Sequence, residues 1–134
     1  MKIYRSILLN EGETINTENI GTSWTLCHVF ADDHANDIIR ANEKEGYVIL
    51  EAEINDCDID WSNTLYAMET RPNEFEVVLS GGEIKAEVIY SENTSIEEGD
   101  IVDGFVGSNN FEDYCDSYEG DLSKEDFITL ASEF

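Results

Sequence analysis

Cys27, His28 and His34 are the residues of this chain best equipped to hold a metal. Cys27 and His34 stand seven positions apart, about two helical turns, so one helix face can present both. Cys57 and Cys115 offer further thiolates. One reading is a zinc site on Cys27, His34 and Cys57. Against it, no C-x-x-C pair is present and the spacing matches no standard finger. Partly buried free thiols are the other reading. Asp56-Cys57-Asp58-Ile59-Asp60 opens like a calcium loop. An EF-hand then needs Gly at its sixth position and Glu at its twelfth. Trp61 and Ala67 stand there, so solvated turn carboxylates are the better account. The chain has no Walker loop, nucleophile elbow or dinucleotide fingerprint.

Carboxylates are the dominant chemistry. Thirty-one Asp and Glu face seven Lys and Arg, a formal net charge of −24 over 134 residues. A soluble domain needs a net charge of only about 2–8 in magnitude. So many like charges repel one another in the compact state. A strongly basic partner offsets that repulsion, and positive fields of this kind mark proteins that handle nucleic acid. General solvation of an acidic surface is the plainer alternative. Direct nucleic-acid binding is not expected, because there is no basic patch. The charge is densest in residues 92–134, where thirteen acids meet one lysine. There Glu97, Glu98, Asp100, Asp103, Glu112, Asp113, Asp116, Glu119 and Asp121 are the candidate partner-binding residues. Phe111, Tyr114 and Tyr118 interleave with them. These rings give contact area to a partner or pin the segment to the core.

A chain of this length makes one domain. Hydrophobic residues are 41% of it, enough for a core. Three widely spaced cysteines are no disulfide framework, so reduced thiols and a cytoplasmic location are expected. No run of about 18 apolar residues exists to cross a membrane. The short apolar run after Lys2 and Arg5 lacks the core of a signal peptide.

The elements that would position these residues are a mixed set. Lys2–Leu9 alternates as a first strand, and Thr22–Leu26 is a short second one. Phe30, Ala31, Ala35, Ile38, Ile39 and Ala41 form a helical stripe over His28–Asn42, with Gly46 placed to stop it. Tyr47–Ile54 is the clearest strand. Leu65–Met68 forms a short helix after a turn-rich Asp56–Asn63. Glu74–Leu79 is a strand, and Ser80-Gly81-Gly82-Glu83 suits a hairpin to its partner, Ile84–Tyr90. Ile84, Ala86, Val88 and Tyr90 would share one face. Ser123 and Asp126 form a capping-box-like start to a last helix over about Lys124–Glu133. The fold class is α+β: a compact mixed or antiparallel sheet, a helix after the second strand and a C-terminal helix.

Three pieces of sequence fall in a recognisable order. Tyr4-Arg5 lies in the first strand, Gly21-Thr22-Ser23-Trp24-Thr25 follows, and Arg71-Pro72-Asn73-Glu74-Phe75-Glu76-Val77-Val78 comes later. The set resembles small phage and prophage proteins with an ADP-ribosyltransferase-like fold, over about residues 2–91. Residues 92–134 would be an acidic, aromatic-rich extension. The resemblance implies catalytic roles for Arg5, Ser23, Glu74 and Glu76. Arg5 would hold the diphosphate of NAD, and Ser23 would shape the nicotinamide-ribose pocket. Glu76 would bond the ribose hydroxyl and stabilise developing positive charge, and Glu74 would orient the nucleophile. Trp24 would stack on the cofactor.

Charge and resemblance together give a leading expectation, a non-enzymatic binder, and an alternative. In the first, the chain is a phage-type counter-defence inhibitor of the anti-CRISPR kind, acting in the host cytosol. Its carboxylates would mimic phosphates in the basic channel of a host nuclease, most plausibly a CRISPR effector. In the second, it is a mono-ADP-ribosyltransferase that uses NAD to modify a basic protein.

Overall fold

The computed structural model describes residues 1–42, 44–107 and 119–134, with backbone alone for 38–42. The expected positions Phe111, Glu112, Asp113, Tyr114, Cys115, Asp116 and Tyr118 lie outside the described residues. The strands are β1 (Lys2–Leu9), β2 (Ser23–Thr25), β3 (Gly46–Glu53), β4 (Glu76–Val78), β5 (Gly82–Glu92) and β6 (Ile101–Val106). The helices are α1 (His28–Asn42), α2 (Trp61–Thr70) and α3 (Lys124–Ala131). Among the described residues, six strands form one sheet in the order β4-β2-β1-β3-β5-β6. Every neighbouring pair runs antiparallel. The α+β class, the helix after the second strand and the C-terminal helix are all present.

The sheet is covered on both faces near its centre. Period-two alternation sends Val48, Leu50 and Ala52 of β3 to one side and Tyr47 and Ile49 to the other. The first set joins the main core with Ile3, Leu65, Met68 and Phe127, so α2 and α3 pack there. The second set meets Ala31 and Ala35 of α1, whose small side chains let the helix sit close. That double coverage is why β3 reads as a nearly continuous apolar run. The described parts of 92–134 are integral to this body: β6 is a strand of the sheet, and Phe127 is wholly buried.

Local signals set the helix starts. Asp60 accepts from the backbone N–H of Asn63 at 3.2 Å and begins α2. The helix therefore starts at Trp61, earlier than the Leu65 that hydrophobicity alone suggested. Ser123 accepts from the N–H of Asp126 at 3.1 Å and begins α3, as the sequence pattern predicts. Among the described residues, no helix is long and apolar enough to cross a membrane.

Three local expectations are corrected. Ser80–Glu83 is no hairpin, because β2, β1 and β3 lie between β4 and β5. β4 pairs instead with β2, at Ser23↔Val78, Trp24↔Val77 and Thr25↔Glu76. Tyr90 leaves the face of Ile84, Ala86 and Val88: the register slips between Ile49↔Tyr90 and Leu50↔Val88, so Ile89 is the extra residue of a bulge. Tyr90 then stacks near Tyr47, with ring centroids 5.6 Å apart. Gly46 does not cap α1; it opens β3 under the Glu92 carbonyl, only 2.0 Å from where a Cβ would stand.

Tyr47 supplies a pH handle. Its hydroxyl donates to Asp32, and burial, reinforced by that carboxylate, pushes its pKa up from the ordinary 10.0. The folded state therefore keeps the proton at pH values where the unfolded chain releases it. Stability from this residue is complete below pH 10 and falls as pH rises beyond it. Urea midpoints should decline above that pH. Tyr47→Phe should flatten the decline while lowering neutral-pH stability by about 1–3 kcal/mol.

Candidate functional site

A cleft opens where β1 and β2 part. Their registered pairing is Tyr4↔Thr25, and beyond it β1 continues alone on that side through Ser6–Leu8. The space measures about 430 Å³. Tyr4, Arg5 and Ser6 line it from β1, Ser23 and Thr25 from β2, Phe30 and His34 from α1, and Glu74 and Glu76 from the far edge. The candidates Arg5, Ser23, Glu74 and Glu76, scattered along the sequence, thus share one site.

Strand geometry explains the convergence. The β2–β4 register sets Glu76 opposite Thr25, so Glu76 lies on the face that Ser23 and Thr25 share. Ser23 Oγ donates to Glu76 Oε1 at 2.6 Å. Arg71 Nη2 donates to Glu76 Oε2 at 2.9 Å, and Arg71 Nε to Glu74 Oε2 at 3.2 Å. The hydrogen bond to Glu76 raises the already high pKa of Arg71. The Glu76 side chain is 16% exposed. Between the two acids, Phe75 is a non-glycine residue in left-handed conformation, φ +50°. That kink puts Glu74 in a 3₁₀ turn, Pro72–Glu74, and Glu76 at the start of the strand. Thr25 Oγ1 donates to the Glu74 carbonyl at 2.8 Å and ties the kink down.

Arg5 enters differently. It stands two positions from both Ile3 and Ile7 and shares their face, so its Cβ leaves β1 on the main-core side. Its guanidinium then fills the gap between the strands, where Nη1 donates to the Ser23 carbonyl. Its Nε is buried with no partner, and desolvation lowers its pKa. Gly21 makes the room: it has φ +97°, and a Cβ there would stand 2.6 Å from Arg5 Nη2. Gly21→Ala combines a left-handed backbone with a steric clash. It should lower urea stability by about 1–3 kcal/mol, while the same change at the open Gly12 should lower it less.

Trp24 is 2% exposed and packs in the main core, on the opposite side of β2 from Ser23. Its indole N–H donates to the Gly21 carbonyl at 3.0 Å. Trp24 nonetheless borders the cleft. The zinc reading finds no support: among the described residues, no group of three His, Cys, Asp or Glu comes together to hold a metal. Cys57 is exposed in a 3₁₀ turn, Asp56–Asp58, and Cys27 precedes α1; both are free thiols. His34 instead stacks on Phe30, centroids 5.7 Å apart, one helical turn away.

No family model, characterised protein or solved structure matches this chain.

Arg71, Gly21 and the Phe30–His34 pair are site residues to which sequence reasoning gave no such role. Arg71 was visible in principle, lying three and five positions before the two acids it bonds. The residues suit an NAD-like group in part. The buried, unpartnered Nε of Arg5 marks an unused cationic donor at one end. Glu76 and Ser23 form a polar pair, and Phe30 and His34 add planar apolar surface. Of the candidate docking acids, Glu97, Glu98, Asp100, Asp103, Glu119 and Asp121 are exposed and lie outside this cleft.

Proposed function

We propose that this chain is a mono-ADP-ribosyltransferase acting on a basic protein, built on an ADP-ribosyltransferase-like fold. One observation carries the reading: Ser23 is bonded through its side chain to Glu76 and through its carbonyl to Arg5. Strand order supports it, because β4 with Glu76 lies beside β2 with Ser23, and β2 beside β1 with Arg5. NAD would supply an ADP-ribosyl group on a glycosidic bond with nicotinamide as leaving group. Glu76 would bond a ribose hydroxyl and set negative charge where positive charge develops. Arg5 would contribute its cationic fork toward phosphate oxygens. Ser23 would hold the Glu76 carboxylate in place. Glu74 would orient the incoming nucleophile once Arg71 yields its hydrogen bond.

The test is to incubate the full chain with NAD and a basic acceptor such as histone, following nicotinamide release and acceptor mass. Enzyme-dependent release with a gain of one ADP-ribose unit supports the reading; neither signal above background overturns it.

The net charge favours a second reading, the phosphate-mimicking inhibitor. Glu97, Glu98, Asp100 and Asp103 are all exposed, and among the described residues no cation forms an ion pair with any of them. Under it, the chain would block a guide-loaded CRISPR effector without NAD, and salt would weaken the block.

A further inference from the structure

We propose that the outer face of β5 and β6 is a docking surface for a basic protein segment that also carries apolar side chains. Helix α1 covers β1, β2 and β3 on this side of the sheet. Farther out, Glu83, Lys85, Glu87, Ile101, Asp103 and Phe105 are all exposed. They sit in register as three facing pairs: Glu83↔Phe105, Lys85↔Asp103 and Glu87↔Ile101. Their backbone neighbours Ala86 and Val102 point the opposite way into the main core. Among the described residues no element covers this sheet face, which carries two large apolar groups, Ile101 at 53% and Phe105 at 47% exposure. Isolated exposed hydrophobics are ordinary, but these two share one strand face two residues apart from a common acid, Asp103.

The charge on the face selects the occupant. Lys85 stands opposite Asp103 in the register, and three acids, Glu83, Glu87 and Asp103, meet this one cation on the face. Glu87 also stands directly opposite Glu51 of β3, a like-charge pair that disfavours the sheet as it stands. Lys2 reaches Glu51 at 3.6 Å and relieves only that side. Glu97, Glu98 and Asp100 extend the negative field into the connection between β5 and β6. A second copy of a chain with net charge −24 is repelled, as are nucleic acid and anionic lipid. Lys or Arg beside aliphatic groups satisfies both features of the face. The surface lies away from the cleft and does not depend on the cleft's chemistry.

The probe is a short peptide of alternating lysine and leucine, titrated into the full chain and followed by anisotropy and backbone amide NMR shifts. Shifts should centre on β5 and β6. The triple variant Glu83→Gln, Glu87→Gln, Asp103→Asn should bind about 10-fold more weakly and show a shallower salt dependence. Ile101→Ser with Phe105→Ser should weaken binding with the salt dependence unchanged. A control with equal charge removed elsewhere, Asp33→Asn, Asp37→Asn and Glu133→Gln, should change affinity about 2-fold or less. Equal losses in the control and the triple variant would show a diffuse field and overturn the proposal. So would shifts centred elsewhere, or self-association of the free chain through this face.

Discussion

Glu76→Gln should lower NAD-dependent nicotinamide release by about 100- to 1,000-fold, the usual loss when a group aimed at developing charge is removed. The amide keeps the shape of the side chain, and its oxygen can still accept from Ser23 Oγ. What it loses is the negative charge. Arg71 loses its ionised partner too, but that side chain is 48% exposed, so the ion pair contributes little to stability. Thermal unfolding should therefore barely move while turnover collapses. Ser23→Ala is the informative companion. It leaves the charge of Glu76 and removes the bond that holds it, so its loss should be smaller and fall chiefly on kcat. A Glu76→Gln enzyme with wild-type turnover would remove Glu76 from the chemistry, and with it the reading of the cleft.

Phe127→Ala should destabilise the chain by about 3–5 kcal/mol, measured as a lower urea midpoint at unchanged slope. Phe127 is 0% exposed and meets the Trp61 ring edge-on at 5.3 Å, joining α3 to α2 over the main core. Truncation leaves a cavity that rigid strands on one side and α2 on the other cannot close. Domains of this size hold only about 5–15 kcal/mol in total, so the variant would lie near its folding limit. The prediction also separates two pictures of the acidic C-terminal region. If α3 were a detachable carrier of charge, the loss would stay below about 1 kcal/mol. A large loss means that the same stretch of chain presents carboxylates outward and anchors the core inward.

The two readings of the molecule use different parts of it. Cleft chemistry rests on side chains drawn together from β1, β2 and the segment before β4. Recognition of a basic partner would rest on the exposed outer face of β5 and β6. A transferase needs both, one to act and one to hold its target, whereas an inhibitor needs only the second. NAD dependence divides them without ambiguity.

Much of the local structure was legible in the residues themselves. The alternation of Lys2–Leu9, the apolar stripe of His28–Asn42 and the Ser123 cap are short-range signals. They act between residues close in the chain, so the sequence states them directly. The Ser23-Trp24-Thr25 alternation also carried a message that was missed: if Ser23 faces a cleft, Trp24 must face away. Pairing was a different matter. Whether Gly81-Gly82 closes a hairpin depends on what competes for β4, and β2 wins that edge through contacts more than 50 positions away. The gap that admits Arg5 and the bulge that turns Tyr90 over have the same origin. Residue types and their order therefore determined most of the element list, though not β6, together with the acidic surface, and the resemblance supplied the candidates Arg5, Ser23, Glu74 and Glu76. Only the tertiary structure decided that those four share a cleft, that most of Trp24 is packed into the main core and that Arg71 bonds both acids. Strand register is a long-range choice, and a slip of one residue reverses every side chain on the strand.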